Sequence, residues 1–142
     1  MKRLIVLLVL IFSLVGCSKN NIEIKEPSKD GTVLLIQEKS DEIECLGYTI
    51  SLHSNRIIEK SYEMCDSFDY AELTEEEYKK IIDFAFSDKI LDIKSNINNE
   101  KNHESKLYLY FEDESQFVLE DHPITDKNYL ELINILNEKI EK

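Results

Sequence analysis

Between Cys45 and Cys65 the chain alternates apolar and polar residues, breaks once, and alternates again, and this pattern restricts the fold more than any other stretch. Leu46, Tyr48, Ile50 and Leu52 interleave with Cys45, Gly47, Thr49 and Ser51. A period of two belongs to a strand with one buried face. After the polar break HSN, the segment RIIEKSYEMC reads as the return strand. Asparagine tolerates positive φ, so a turn centred on Asn55 can close the hairpin. That register sets Leu46 opposite Met64, Tyr48 opposite Tyr62, Ile50 opposite Lys60 and Leu52 opposite Ile58. On the other face Thr49 meets Ser61, Ser51 meets Glu59, and Cys45 meets Cys65. One register thus gives a mostly apolar face, a mostly polar face and two facing thiols, and a Cys45–Cys65 disulfide is expected.

The flanking segments complete a small domain. TVLLIQEK (32–39) is rich in strand formers and reads as a first strand. In LTEEEYKKIIDFAF, Thr74 and Glu77 have capping-box spacing, and Leu73 with Tyr78 occupies hydrophobic-staple positions. Tyr78, Ile81, Ile82, Ala85 and Phe86 share one helical face, which predicts a helix over 74–86. Ile90, Leu91 and Ile93 are expected to fold back onto the core, and the polar stretch 94–105 to form a long exposed loop. CDSFDYAE reads as a connection. KLYLYFEDESQFVLED reads as a second hairpin centred on Glu114, pairing Phe111 with Phe117 and Leu109 with Leu119, and placing His122 opposite Lys106. Tyr108, Tyr110 and Val118 fall on its other face. A last helix is expected with Thr125 as cap, Ile124 and Tyr129 as staple, and Leu132, Ile133, Leu136 and Ile140 continuing the stripe from Tyr129. The order β-β-β-α-β-β-α, with one-sided helices and half-apolar strands, predicts an α+β fold. Its antiparallel sheet has about five strands, with both helices on one face.

The N-terminus concerns location. Lys2 and Arg3 precede an unbroken apolar run, Leu4 to Phe12, and Ser13-Leu14-Val15-Gly16 leads into Cys17. A charged start, an apolar stretch and small residues near a cut describe a secretory signal. Leu4 to Gly16 is 13 residues, about 20 Å as a helix, short of the ~30 Å bilayer core. The quartet Leu14-Val15-Gly16-Cys17 resembles the lipobox of bacterial lipoproteins. The resemblance implies a diacylglyceryl group on the Cys17 sulfur and cleavage after Gly16. Two acyl chains would then hold the protein stably, where one binds marginally. On this reading residues 1–16 are a cleaved signal peptide, 17–31 the lipidated cysteine and a flexible tether, and 32–142 a single globular domain. The expected location is the outer face of the bacterial cell membrane, or the outer membrane if the cell has two. The domain's layout resembles that of many small uncharacterised bacterial lipoproteins, in architecture alone. Export also permits the disulfide, and assigning Cys17 to lipid leaves an even pair.

Charge narrows the partners. The signal contains two of the 17 basic residues and none of the 29 acidic ones, so the mature chain would hold 15 against 29, a net −14. Such a balance disfavours nucleic acid and any basic-patch attachment to anionic lipid, and mildly favours a cationic protein or peptide. No phosphate-binding glycine motif, Gly-x-Ser-x-Gly elbow or calcium loop is present, and no cofactor is implied. His53 falls in a turn. His103 and His122, with Asp121 and Glu104 nearby, are the only grouping from which a weak divalent-metal site could be drawn, without recognised ligand spacing. Glu75, Glu76 and Glu77 suit the first turn of a helix and need no catalytic reading. Tyr108, Tyr110 and Val118 are the candidate contact surface. The expectation is a binding or modulatory domain rather than an enzyme. The competing expectations are a solute-binding lipoprotein of a transporter, and a small envelope hydrolase or metal-binding protein.

Overall fold

The computed structural model describes residues 25–95 and 102–141. Six strands form one antiparallel sheet: β1 (Thr32–Ser40), β2 (Gly47–His53), β3 (Ile57–Tyr62), β4 (Phe68–Glu72), β5 (His103–Tyr110) and β6 (Gln116–Asp121). Their order across the sheet is β4-β3-β2-β1-β5-β6. Helices α1 (Glu75–Ala85) and α3 (Lys127–Ile140), with the short α2 (Asp88–Leu91) between them, contribute the apolar side chains that cover one face. The fold is α+β, as expected, with one strand more.

The β2–β3 register is the predicted one: Tyr48 opposite Tyr62, Ile50 opposite Lys60, Leu52 opposite Ile58. Cys45 and Cys65 form a disulfide across its end, with Cα atoms 5.5 Å apart. Both lie outside the strands: Cys45 is in the short turn Glu44–Leu46, where Cys45 and Leu46 have φ of 63° and 62°, and Cys65 follows β3. Gly47 follows at φ 148° and ψ 175°, a region restricted to glycine. A Cβ there would stand 2.3 Å from the Glu38 carbonyl oxygen. The close approach sets the start of β2 against β1, and the disulfide ties it to the segment after β3.

Helix α1 begins as its sequence dictates. Thr74 Oγ1 accepts the Glu77 N–H at 3.2 Å while the Glu77 carboxylate accepts the Thr74 N–H at 3.1 Å, a complete capping box. Ile81 and Ala85 are buried, and Tyr78, Ile82 and Phe86 pack beside them. In α2, Ile90 is fully buried, with Leu91 and Ile93 against the core. On α3, Tyr129, Leu132, Ile133 and Leu136 are buried as expected, and each such side chain contributes about 1.5–3 kcal/mol of burial.

Four local expectations are corrected. The cap of α3 is Asp126, which accepts the Asn128 N–H at 2.8 Å, one residue beyond Thr125. The second hairpin pairs Leu107 with Leu119, Leu109 with Phe117 and Tyr108 with Val118, two residues from the predicted register, so Lys106 faces Glu120 and not His122. Its turn explains the shift. Glu114 takes φ 63°, and the Phe111 N–H donates to Ser115 O at 3.0 Å. Phe111 therefore closes the turn and bridges to Pro27 instead of facing Phe117. A shift of two keeps every residue on its predicted face. The third correction is β4: FDYAE is an edge strand, not a connection, and its exposure on both sides is why no apolar stripe marks it. The fourth is the loop 94–105, within which β5 begins at His103; residues 96–101 lie outside the described residues.

Lys25 to Lys29, expected within the tether, lie beside the β5–β6 turn. The Ser28 N–H donates to Tyr110 O, and Lys25 Nζ sits 3.0 Å from the Asp113 carboxylate. Among the described residues no helix is long and apolar enough to cross a membrane. The expected signal peptide and Cys17 lie outside them.

Candidate functional site

Register places every strand residue on one of two faces, and the faces differ in kind. On the helix-covered face, pairing aligns Tyr62, Tyr48, Glu38, Ser105 and Asp121 in one row across five strands. Four of these five strands are apolar one row away, with Ile50, Ile36, Leu107 and Leu119 in line. A polar row beneath a helix must be satisfied internally. Glu38 is 5% exposed and is the centre of the arrangement. One carboxylate oxygen accepts the Tyr129 hydroxyl of α3. The other accepts Ser105 Oγ at 2.8 Å and faces His103 Nε2 at 2.8 Å. Burial, reinforced by the negative Glu38, pushes the Tyr48 and Tyr129 phenols well above the usual range. Lys60, on the same face, sends Nζ to Asn137 Oδ1 at 2.9 Å and lies over the Tyr48 ring at 4.5 Å. No buried side-chain nitrogen or oxygen lacks a partner among the described residues. Through Glu38 and Tyr129 the row ties α3 to the sheet.

His103 forms the edge of this row where it meets a shallow depression of about 310 Å³, shared with Lys39, Glu63 and His122. The grouping considered for a metal does not converge. Asp121 accepts the adjacent His122 N–H at 2.9 Å, His122 Nδ1 faces the His103 carbonyl at 3.2 Å, and His103 Nε2 faces Glu38. Among the described residues no three His, Cys, Asp or Glu side chains are grouped to hold a metal ion. His53 lies in β2 instead of the turn, between Thr32 and Glu59.

The opposite face carries the predicted contact residues. One row runs Val118, Tyr108, Leu35, Ser51, Glu59 and Tyr70 across all six strands. At one end Tyr108 and Tyr110 stack at 6.4 Å beside Val118, which is 42% exposed. At the other end Phe68 and Tyr70 stack at 6.0 Å and are 56% and 69% exposed. Beside Tyr108, on the same two strands, Lys106 Nζ lies 2.7 Å from Glu104 and 3.2 Å from Glu120, and these two carboxylates hold its amine above the ordinary lysine value. The face therefore has an aromatic pair at each end, with the ion-paired Lys106 beside the Tyr108 end.

Sequence reading assembled Tyr108, Tyr110 and Val118 correctly but missed Phe68, Tyr70 and the Glu38 row. The signal for Glu38 was present: Leu34, Ile36, Glu38 and Ser40 share one parity, so Glu38 had to point inward. Alternation of Phe68 and Tyr70 was masked by Asp66, Asp69 and Glu72. No family model, curated protein or solved structure matches this chain.

Proposed function

We propose that this chain is a lipid-anchored extracytoplasmic protein, held by a diacylglyceryl group on Cys17, whose domain binds a protein or peptide partner through the open sheet face. The observation that carries the binding reading is the ridge of Tyr108, Tyr110 and Val118, stacked and part-exposed on a face that α1 and α3 leave uncovered. Aromatic rings supply large contact area at small entropic cost, which favours contact surfaces. The engaged polar row around Glu38 supports a rigid scaffold behind that face, not a reacting centre. The Cys45–Cys65 bond suits an oxidising compartment outside the cytoplasm, as export requires. Anchoring would concentrate the domain near partners at the same membrane.

Two measurements test the two halves. Mass spectrometry of the mature N-terminal peptide should find residues 1–16 removed and Cys17 carrying acyl chains; an intact Met1 would end the anchoring reading. A photo-crosslinking residue in place of Val118 should yield a discrete adduct on intact cells, whereas one in place of the exposed Glu131 on α3 should not. Equal adducts from both positions, or none from either, would remove the face from consideration.

A further inference from the structure

The two edges of the sheet are treated differently. At the β6 edge, Ser95 Oγ donates to Glu120 O at 3.1 Å, so a neighbouring segment occupies an outward carbonyl. At the β4 edge the pattern can be read from its ends. The Tyr62 N–H donates to Ser67 O at 3.3 Å, and the Leu73 N–H donates to Arg56 O at 2.9 Å. Antiparallel ladders alternate bonded and non-bonded residues. Ser67, Asp69, Ala71 and Leu73 therefore turn their backbone groups toward β3, while Phe68, Tyr70 and Glu72 turn theirs away from the sheet. Among the described residues nothing takes up these three N–H and C=O pairs.

Such an edge is a template for another strand. β4 contains neither proline nor lysine, and it is not covered: four of its five residues are exposed. Its side chains specify the visitor. Phe68 and Tyr70 offer stacked ring faces, Glu72 shares their face of β4, and Glu59 stands opposite Tyr70 on β3. Arg56 lies 3.9 Å from Glu72. A lysine or arginine beside Tyr70 would meet both a ring face and an acidic neighbour. A second copy fits poorly, because it would bring the same acids together in a chain of net charge −12. We propose that the free edge of β4 is a strand-addition site, which takes a lysine- or arginine-bearing extended segment of a partner protein as the seventh strand of the sheet.

The proposal rests on the domain being a binding module, yet it is tested separately from the Val118 ridge. The probe is a nine-residue peptide alternating lysine and valine, titrated into the full-length chain in non-ionic detergent, beside a counterpart with glutamate for lysine. Binding of the lysine peptide should slow hydrogen exchange in the fragment containing Phe68, Tyr70 and Glu72 and leave β6 unchanged. Tyr70→Pro removes an outward N–H where an edge strand tolerates proline, so the unfolding midpoint should hold while affinity falls about tenfold or more. Protection confined to β6, equal binding of the two peptides, or undiminished binding by a folded Tyr70→Pro variant would each overturn the proposal. Self-association abolished by Tyr70→Pro would overturn it in favour of a second copy. A failed Val118 crosslink alongside peptide binding at β4 would remove only the ridge assigned above.

Discussion

Glu38 is the residue on which the covered face depends. A carboxylate buried to 5% exposure is tolerated because Tyr129, Ser105 and His103 all address it. Removing one donor leaves the charge buried with weaker compensation. Tyr129→Phe should therefore lower unfolding free energy by roughly 1–3 kcal/mol in urea titration. Because the two groups share one interaction, Glu38→Gln combined with Tyr129→Phe should cost less than the sum of the single changes. Strict additivity would mean that the hydroxyl contributes by packing alone. Sequence parity already sends Glu38 inward, but it cannot name Tyr129, which is 91 residues away.

Elements are fastened by two devices of different origin. The Cys45–Cys65 bond closes a separation of 20 residues across the β2–β3 hairpin. Replacing both cysteines by serine should cost about 3 kcal/mol by loop entropy, with the fold retained, as circular dichroism and denaturant titration would report. The second device links the ends of α1 and α3. Lys139 Nζ lies 2.9 Å from Glu77, whose carboxylate also completes the α1 capping box. The hydrogen bond from Lys139, then those with Thr74, lowers the Glu77 pKa to about 2. A depressed carboxylate contributes stability that is complete above its unfolded pKa, ~4.3, and is lost as pH falls through its folded value. The difference in thermal midpoint between the native chain and Glu77→Gln should thus shrink as pH drops from 5 toward 2. A difference independent of pH would exclude this carboxylate from acid unfolding. The capping box was legible because its partners are three residues apart; Lys139, 62 residues away, was not.

For the whole molecule, charge and topology dominate. With 29 acidic against 17 basic residues, the folded chain repels itself. Raising salt from ~0.05 to ~0.5 M shortens the Debye length to a few ångströms and should raise the thermal midpoint; a fall would mean that ion pairs such as Lys106–Glu104 outweigh the repulsion. The amino-acid sequence by itself determined the β2–β3 register, the disulfide pair, the capped first helix and the faces of Tyr108 and Val118. Each depends on periodicity or on partners close along the chain, where the backbone's geometry leaves few choices. Tertiary structure alone decided that β1 pairs with β5, that FDYAE becomes an edge strand, and that Tyr129 and Lys139 find Glu38 and Glu77. Those outcomes depend on how sheet and helices stack in space, and distant side chains acquire neighbours only once the core has closed.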